Sequence, residues 1–291
     1  MLTSGPYFSI QPGAEPCHEN DILLCFCMDD IIVYRKNGEY SLPTRTMLRP
    51  YLPGTLTPEF LFSLQQGRQA YGLDLPESMK QGLLAQLKDD VSLEDGLLLV
   101  HANIFRTIFA DEDAFALITA YHLFVWQRTH RYCGKCGAHP LTPVQTERAL
   151  RCDRCGHTIY PVISPAVSVA ITNGDRLLLA RNAHSAFRSF SLIAGYVEVG
   201  ESLEATIHRE VLEEVGLHVN RIRYIGSQGW GWSQALMLGF HAELDGSDQI
   251  TLQESELSEA RWFRRDEIEP ITSPRSLSFD MIQLFRKNEL P

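Results

Sequence analysis

Three glutamates on one predicted helix lie close enough together to hold a metal ion. Residues 195–217 read GYVEVGESLEATIHREVLEEVGL. Because an α-helix turns about 100° per residue, Glu210, Glu213 and Glu214 fall within roughly 100° of arc. A solvated acidic face is the plain alternative, but Glu210 and Glu214 are like charges at i and i+4 and repel each other. Carboxylates suit Mg²⁺ or Mn²⁺, which also bind phosphate oxygens, so the pattern favours a metal site for a phosphate-containing substrate.

Four cysteines form a second candidate metal site. Cys133 and Cys136 make one CxxC knuckle, and after fifteen residues Cys152 and Cys155 make another. Two knuckles at this separation can turn all four thiolates toward one Zn²⁺. A disulfide is the alternative, which a reducing compartment disfavours. Four protein ligands leave no position open for a substrate, so the zinc is expected to be structural.

Local signals define the ends of the glutamate-bearing helix. Ser202 is a good N-cap, Glu204 lies in the first turn near the positive end of the helix dipole, and Gly216 can end the helix in a left-handed conformation. The positions that recur every four residues make an apolar stripe that must pack on a core: Leu203, Ile207, Val211 and Val215.

The spacing of the glutamates resembles the Nudix box. Gly195 is followed after five residues by Glu201, and after seven more by REVLEEVGL, which begins at Arg209. The resemblance implies an α/β/α sandwich around a mixed sheet. It also implies hydrolysis of a diphosphate that is linked to a second moiety.

This resemblance implies a role for each polar residue of the box. Glu210 and Glu214 are expected to bind the catalytic Mg²⁺ or Mn²⁺ directly, with Glu213 assisting. Glu201 is expected to pair with Arg209 and so hold the loop against the helix. Two positions outside the box are expected to complete the metal set, namely the carbonyl oxygen of Ala194 and the carboxylate of Glu256.

A four-cysteine ribbon directly before a Nudix domain resembles the NADH pyrophosphatase branch of that family. The resemblance covers the chain from about residue 124 onward. The branch carries an SQPWPFPxS-like segment after the box, where this chain has SQGWGWSQA at residues 227–235. The substrate contacts expected from this segment are Gln228, Gly229, Trp230, Gly231, Trp232, Ser233, Gln234 and Ala235.

Glycine or serine replaces all three prolines of that segment. Proline restricts the backbone, so the segment is expected to be a freer loop that costs more to order on binding. Selectivity for the dinucleotide is therefore expected to be weaker, and proline at Gly229 and Gly231 is expected to sharpen it.

Five further residues are expected to contact substrate. Tyr160 and Tyr196 are candidates to stack on a base, with ordinary aromatic packing as the alternative. Glu147 of the ribbon is expected to meet the substrate, and Ser278 to offer backbone contacts. Arg106 would reach it from the N-terminal domain, unless it forms a surface ion pair instead.

The resemblance implies that the chain hydrolyses the diphosphate of NAD(H). The products would be AMP and nicotinamide mononucleotide, reduced when NADH is the substrate. NAD-capped RNA, ADP-ribose and dinucleoside polyphosphates are alternative substrates, and a non-catalytic nucleotide-sensing zinc-ribbon protein is an alternative of another class. The general base stays open: Glu213 and Glu256 are the candidates, and a metal-bound hydroxide would need none. The branch also implies a homodimer.

The elements that position these residues predict an α+β protein of three parts. Residues 1–127 are expected to form an α/β domain that ends in a linking helix, 128–160 the zinc ribbon, and 161–291 the Nudix domain. In the first part, strands are expected at 22–28, 31–34 and 97–100, helices at 57–71 and 77–88, and a buried helix at 113–127. In the last, strands are expected at 166–172, 176–180, 222–226, 236–241 and 260–263, and a helix at 277–286. Cys17, Cys25 and Cys27 are expected to pack in a core.

Composition limits the classes of partner. The 291 residues are 44% hydrophobic and carry a formal net charge of −10. An acidic chain lacks the basic surface that grips nucleic acid regardless of sequence. Between residues 128 and 160, however, six Lys or Arg residues face two acids, which either balances charge on an exposed module or attracts polyphosphate. The N-terminus has no signal-peptide pattern and no apolar run is of membrane length, so a soluble cytoplasmic protein without membrane partners is expected.

Overall fold

A computed structural model describes residues 16–64, 67–87, 95–102, 111–184, 189–269 and 276–291. The chain divides into two compact units. Of the described residues, the C-terminal unit contains 163–291 except 231–233, and the N-terminal unit contains those from 16 to 162 together with 231–233. None of the helices within the described ranges is both long and apolar enough to cross a bilayer.

The N-terminal unit is built on a six-stranded mixed sheet. Its strands run in the order β3-β2-β1-β5-β4, and β6 pairs with β2. β1 and β5 are parallel, whereas the other neighbours are antiparallel. The strands are β1 (Ile22–Cys27), β2 (Asp30–Lys36), β3 (Glu39–Ser41), β4 (Glu59–Ser63), β5 (Gln69–Leu75) and β6 (Gly96–His101). The helices are α1 (Arg45–Leu48), α2 (Lys80–Gln86) and α3 (Asp111–Thr129).

The prediction of a helix at residues 57–71 is wrong. This stretch contains the antiparallel strand β4 and the start of β5. Over six residues, β5 also pairs in parallel with β1, from Ile22 opposite Ala70 to Cys27 opposite Leu75. A short apolar run such as EFLFSL suits either a strand or a helix, and here distant pairing decides the outcome.

Helix α3 is the buried helix expected at residues 113–127. It packs so closely on the sheet that a Cβ atom at Gly72 would lie 2.5 Å from the ring of Phe124. The cysteines expected in a core are there, since Cys17, Cys25 and Cys27 are all buried. Burial raises the pKa of the Cys25 thiol well above its usual range, which keeps that thiol protonated.

The ribbon segment has a small antiparallel sheet of its own. Its strands are β7 (Thr142–Pro143), β8 (Leu150–Arg151) and β9 (Thr158–Ile159), paired in the order β7-β8-β9. Arg148, just before β8, donates a hydrogen bond of 2.6 Å from Nη2 to the carbonyl oxygen of Leu61. This bond ties the ribbon to the remainder of the N-terminal unit.

The C-terminal unit is an α/β/α sandwich around a mixed sheet. The strand order is β13-β14-β10-β11-β15, and β12 pairs with β10. β10 and β14 are parallel, and the remaining pairs are antiparallel. The strands are β10 (Ser164–Asn173), β11 (Arg176–Asn182), β12 (Ile193–Tyr196), β13 (Val219–Trp230), β14 (Ala235–Leu244) and β15 (Leu257–Arg264). The helices are α4 (Leu203–Val215) and α5 (Leu277–Arg286).

Alternation along β10 divides the core of this unit between the two faces of the sheet. Val167 and Val169 point to the face that packs on α4, whereas Ala170 packs with α5 on the other. The apolar stripe of α4 lies in the first core as expected, because Ile207, Val211 and Val215 are fully buried and Leu203 packs against them. Because the apolar side of α4 packs on the sheet, the side that carries the glutamates is determined as well.

Candidate active site

Helix α4 begins and ends where its sequence predicts. The Ser202 hydroxyl accepts a hydrogen bond of 3.1 Å from the N–H of Ala205. Gly216 adopts φ 67° and its N–H bonds to the carbonyl oxygens of Leu212 and Val211. Both ends being defined locally, the glutamates of the helix are held at fixed positions relative to the sheet.

Arg209 connects the box loop to the box helix. Its Nε donates to Glu201 Oε1 at 2.7 Å and its Nη2 donates to Glu201 Oε2 at 3.0 Å, a bidentate pair. Nη1 donates to Glu210 at 2.8 Å and to Glu213 at 3.2 Å. Nη2 also donates to the carbonyl oxygen of Tyr196 at the end of β12. The expected pairing of Glu201 with Arg209 is therefore present in the structure.

The hydrogen bonds at Glu201 keep it ionised. The Arg209 guanidinium, the backbone N–H of Glu198 and the Thr206 hydroxyl all donate to it and lower its pKa to about 2. Glu201 in turn raises the pKa of Arg209. This pair therefore stays charged across the physiological pH range.

Glu210 lies directly against the backbone of β12. A Cβ atom at Gly195 would come 2.0 Å from the Glu210 carboxyl group, so glycine is needed for the carboxylate to keep this position. Ala194 precedes Gly195 in β12 and pairs with Ser168 of β10. The helix thus brings a carboxylate close to the strand that carries the Ala194 carbonyl group.

A loop bonded to the end of α4 brings Glu256 toward Glu214. The N–H of Gln253 donates to the Glu214 carbonyl oxygen at 3.0 Å, and the N–H of Glu256 donates to the Gln253 carbonyl oxygen at 3.0 Å. The Gln253 side chain also donates to Glu256 Oε1 at 3.3 Å. Gln253, which no sequence motif indicated, is therefore part of the support for this site.

The pKa values of the two buried glutamates, Glu210 and Glu214, are raised. Burial, helped by the charges of Glu210, Glu256 and Glu213, raises the pKa of Glu214 to about 8. Burial also raises the pKa of Glu210, although Arg209 opposes this. Glu213 lies further out, with 53% of its side chain exposed. Glu210, Glu214 and Glu256 consequently form an electrostatically coupled set.

This set fits divalent cations. Carboxylate and carbonyl oxygens suit Mg²⁺ or Mn²⁺, which keep positions for phosphate oxygens. A cation would also offset the burial and the mutual repulsion that raise the pKa values of Glu210 and Glu214. Among the described residues, a second and separate group of metal-ligand atoms lies within 4.8 Å of one another, namely the sulfurs of Cys133, Cys136, Cys152 and Cys155.

The four cysteines converge as their spacing predicts. Two pairs of sulfur atoms, Cys133 with Cys155 and Cys136 with Cys152, are each 3.6 Å apart. Both knuckles end in a glycine at φ 71°, Gly137 and Gly156. All four sulfurs therefore surround one point, which fits a tetrahedral, structural Zn²⁺.

The segment expected to be a loop at residues 227–235 is the tip of a β-hairpin. β13 continues to Trp230, which pairs with Ala235 at the start of β14, and residues 231–233 form one 3₁₀ turn that leads to Gln234. Gly229 pairs with Leu236 within this ladder. Antiparallel pairing thus orders the backbone that proline was expected to order.

The structure contradicts the expectation that proline would suit Gly231. A Cβ atom there would lie 2.3 Å from the carbonyl oxygen of Ile118 in α3, so the position requires glycine. The neighbouring Trp232 stacks on Tyr121 of α3, with ring centroids 4.9 Å apart and an interplanar angle of 11°. Trp232 and Ser233, like Gly231, belong to the N-terminal unit.

Two predicted substrate contacts support the start of helix α5. The Gln228 side-chain oxygen accepts a hydrogen bond of 2.8 Å from the N–H of Leu277. The Ser278 hydroxyl lies 2.8 Å from the hydroxyl of Ser168, a buried residue on β10 that no sequence motif indicated. Gln228 and Ser278 are therefore close to the same helix end.

The remaining predicted contacts lie in different parts of the structure. Tyr160 donates from its hydroxyl to both carboxylate oxygens of Glu147, at 3.2 and 3.1 Å, inside the ribbon. Tyr196 is exposed at the end of β12 in the C-terminal unit. Arg106 lies outside the described residues.

Two family comparisons agree with these two sites. Residues 162–285 match the NUDIX domain, so the chain carries a Nudix domain. Residues 128–160 match the NADH pyrophosphatase zinc ribbon domain, and this ribbon directly precedes the Nudix domain. Both resemblances expected from the sequence are confirmed.

Relatives named NAD-capped RNA hydrolase NudC are similar to this chain. The protein of Pseudomonas putida (strain W619) is 42% identical over 174 residues, which are 59% of this chain and 62% of that protein. The protein of Stutzerimonas stutzeri (strain A1501) is 42% identical over 181 residues, 62% of this chain and 65% of its own length. The chain thus spans less than two thirds of each. A solved NUDIX hydrolase from Nitrosomonas europaea is 24% identical, with a TM-score of 0.42 over 47% of this chain and 80% of its own.

Proposed function

We propose that this chain is a metal-dependent diphosphatase that cleaves NAD(H) into AMP and nicotinamide mononucleotide, the latter reduced when NADH is the substrate. The observation that carries the proposal is the set formed by Glu210, Glu214 and Glu256, held by Arg209 and Glu201. The zinc ribbon supports the choice of an NAD-related diphosphate, because it matches the ribbon of NADH pyrophosphatases.

The catalytic cation is Mg²⁺ or Mn²⁺, and the oxygens that would hold it are few. They are the carboxylates of Glu210, Glu214 and Glu256, assisted by Glu213 and the carbonyl oxygen of Ala194. When bound, such cations neutralise the diphosphate and polarise one P–O bond.

Residues of the chain itself accept the proton and hold the metal-binding carboxylates in place. Hydrolysis breaks one P–O bond of the diphosphate bridge and forms one P–O bond to a water oxygen, while the water loses a proton to a base. Glu213 and Glu256 are the two candidates to take that proton, as both are next to the buried pair. Arg209 holds Glu210 and Glu213 in place, and Glu201 holds Arg209.

The hairpin tip and several further residues bind the dinucleotide in this proposal. Trp230 supplies an aromatic face, Gly229 lies in the same strand pair, and Gln234 directly precedes β14. Gln228 acts by placing the start of α5 rather than by reading a base. The remaining assignments rest on the resemblance alone: Arg106, Glu147, Tyr160, Tyr196, Gly231, Trp232, Ser233, Ala235 and Ser278.

The NAD cap of an RNA is the second candidate substrate. The observation that favours it is the name of the relatives, each called an NAD-capped RNA hydrolase. The same bond would be cleaved, and the products would be nicotinamide mononucleotide and an RNA with a 5′-monophosphate. ADP-ribose and dinucleoside polyphosphates remain competitors within the same chemistry.

Three organisational features complete the proposal. The chain is divided into an N-terminal domain (1–127), a zinc ribbon (128–160) and a Nudix domain (161–291). It acts as a homodimer, which light scattering would test, and it works in the cytoplasm, where the cysteines stay reduced.

The decisive experiment incubates the purified protein with NADH and either Mg²⁺ or Mn²⁺ and resolves the products by chromatography. We expect AMP and reduced nicotinamide mononucleotide in equal amounts, and no products with Glu210→Gln. A panel with NAD-capped RNA, ADP-ribose and a dinucleoside polyphosphate ranks the substrates by kcat/KM. Turnover of ADP-ribose alone would replace the proposed substrate, and nucleotide binding without any turnover would indicate a sensor.

A further inference from the structure

We propose that the zinc ribbon binds the single-stranded chain of an RNA substrate, through its phosphates and one stacked base. The surface concerned is the knuckle patch, which consists of Arg131, Tyr132, Lys135, His139, Arg151 and Arg154. This inference rests on the proposed function with capped RNA as the substrate, but binding of RNA to the patch can be measured without turnover.

The knuckle patch is a local exception to the charge of the chain. The chain has a net charge of −10, whereas residues 128–160 carry six cations and two acids. Two of the six cations have structural partners, since Arg128 pairs with Asp74 and Arg148 bonds to the Leu61 carbonyl oxygen. The other four are exposed, and no ion pair involves them among the described residues. Unpaired, exposed cations are available to neutralise phosphates.

The two knuckles place these cations around one point. In each knuckle, the glycine N–H bonds to the carbonyl oxygen of the first cysteine at 2.8 Å, from Gly137 to Cys133 and from Gly156 to Cys152. Lys135 and Arg154 both precede the second cysteine of their knuckle, so they occupy equivalent positions. Because the four sulfurs lie within 4.8 Å of one another, both cations flank the same metal position.

The acids of the ribbon do not neutralise this patch. The Asp153 carboxylate accepts a hydrogen bond of 2.5 Å from the Thr142 hydroxyl. The Glu147 carboxylate is bonded by the Tyr160 hydroxyl. Neither acid forms an ion pair with a cation of the knuckle patch in the described part of the chain. The positive potential of the patch is therefore directed to solvent.

An aromatic pair lies beside the cations. Tyr132 is 64% exposed, and its ring lies 4.8 Å from that of His139. His139 is fixed by a hydrogen bond of 2.8 Å between its Nδ1 and the carbonyl oxygen of Arg131. Tyr132 precedes Cys133 just as Arg151 precedes Cys152, so ring and cation again occupy equivalent positions of the two knuckles. Exposed rings next to cations are the combination that binds unpaired bases together with their phosphates.

The binding test uses a fluorescent 20-nucleotide single-stranded RNA with a 5′-monophosphate and the full-length protein. The patch variant replaces Arg131, Lys135, Arg151 and Arg154 with glutamine. We expect RNA binding to weaken at least tenfold, and the slope of log K against log salt to become smaller by about 3, since each phosphate contact on a single strand contributes about 0.7. Zinc content and Tm should stay at the parent values.

A matched control removes the same charge elsewhere. It replaces four exposed cations outside the ribbon with glutamine, namely Lys36, Arg49, Arg223 and Lys287. RNA binding by this control should stay within about threefold of the parent. If both variants lost RNA binding equally, net charge alone would explain the effect, and the proposal would be overturned.

Tyr132→Ala separates RNA from other polyanions. We expect it to weaken binding of RNA severalfold and to leave binding of inorganic polyphosphate unchanged. No effect on either ligand would make the patch a general polyanion surface, and the RNA assignment would be wrong. Absence of RNA binding by the parent protein would overturn it as well.

Turnover distinguishes this inference from the proposed function. The patch variant should keep the parent kcat/KM on NADH and lose at least tenfold on NAD-capped RNA, mainly through KM. Parent protein that binds RNA at the patch but hydrolyses neither substrate would contradict the proposed function and leave the RNA surface supported. Unchanged kcat/KM on capped RNA in the patch variant would instead contradict the RNA surface.

Discussion

Gly195 and Glu210 approach each other so closely that a single methyl group on Gly195 would lie 2.0 Å from the Glu210 carboxyl carbon. The contact joins β12 to helix α4 and sets the position of a proposed metal ligand. We therefore expect Gly195→Ala to displace the Glu210 carboxylate and to lower kcat/KM on NADH at least a hundredfold. Because the displaced atoms are the end of a flexible side chain, Tm should fall only slightly. Steady-state kinetics and thermal melting measure the two effects.

Gly54→Ala is the control for that substitution. No atom lies within 4 Å of a Cβ at Gly54, and its φ is not positive, so the change adds a methyl group without a clash. Equal activity of Gly195→Ala and the parent would show that Glu210 can move without consequence, contrary to its proposed role.

Glu214→Gln should strongly lower turnover while keeping the shape of the side chain. Loss of a charged ligand removes several kcal/mol of transition-state stabilisation, and each 1.4 kcal/mol is about tenfold, so we expect a decrease of roughly a thousandfold or more. Glu204→Gln is the matched control, since Glu204 is an exposed glutamate of the same helix. Comparable turnover by Glu214→Gln and the parent at saturating metal would refute the assignment.

The stability of the metal-free protein should fall as pH rises from about 5 to 8. The pKa of Glu214 is raised from 4.5 to about 8 by burial and neighbouring carboxylates. The folded state therefore binds a proton that the unfolded chain has already lost, and unfolding becomes easier as pH increases through this window. The pKa of Glu201 is lowered to about 2, so this residue changes the stability only at more acidic pH. Urea unfolding at several pH values measures the trend, which Glu214→Gln should flatten and Mg²⁺ should reverse.

Removal of zinc should destabilise the ribbon. A closed thiolate set contributes on the order of 10 kcal/mol of binding free energy in small zinc modules, part of which supports folding. We expect Cys133→Ser to lose stoichiometric zinc and to melt at a lower temperature. Cys17→Ser, which changes a buried thiol outside the ribbon, should keep its zinc. A parent protein without zinc in metal analysis would disprove the ribbon assignment.

The two tryptophans of the hairpin should differ in their main contribution, Trp230 to substrate binding and Trp232 to stability. Trp230→Ala should lower kcat/KM on NADH about tenfold, because stacking on a base is worth about 1–3 kcal/mol. Trp232→Ala should mainly lower Tm, because Trp232 stacks on Tyr121 and such ring pairs contribute about 0.5–1.5 kcal/mol beyond burial. If Trp230→Ala mainly lowered Tm and Trp232→Ala mainly lowered kcat/KM, the two roles would have to be exchanged.

The parts of this molecule that local chemistry defines could be predicted from the sequence. Ser202 and Gly216 set the ends of α4 through caps that involve only neighbouring residues. The CxxC knuckles likewise place their cysteines by local turns. Both helix α4 and the group of four thiolates could therefore be predicted from local signals.

Elements that depend on distant partners could not be predicted in the same way. Residues 59–63 and 69–75 form strands because β1, more than forty residues earlier, pairs with β5. The four-residue strand β12 has too little sequence to show a period, yet it carries Gly195. The need for glycine at position 231 arises from Ile118, far away in the chain. In each of these cases the deciding contact is remote in sequence.

The close packing of helix α5 on the sheet also bears on oxidative damage. Met281 is fully buried, and a Cβ at Gly239 would lie 2.5 Å from its sulfur. Because the side chain is inaccessible to solvent, peroxide can reach this sulfur only when the helix leaves the sheet. The rate at which Met281 acquires an oxygen atom therefore reports how often the C-terminal helix detaches from the folded protein.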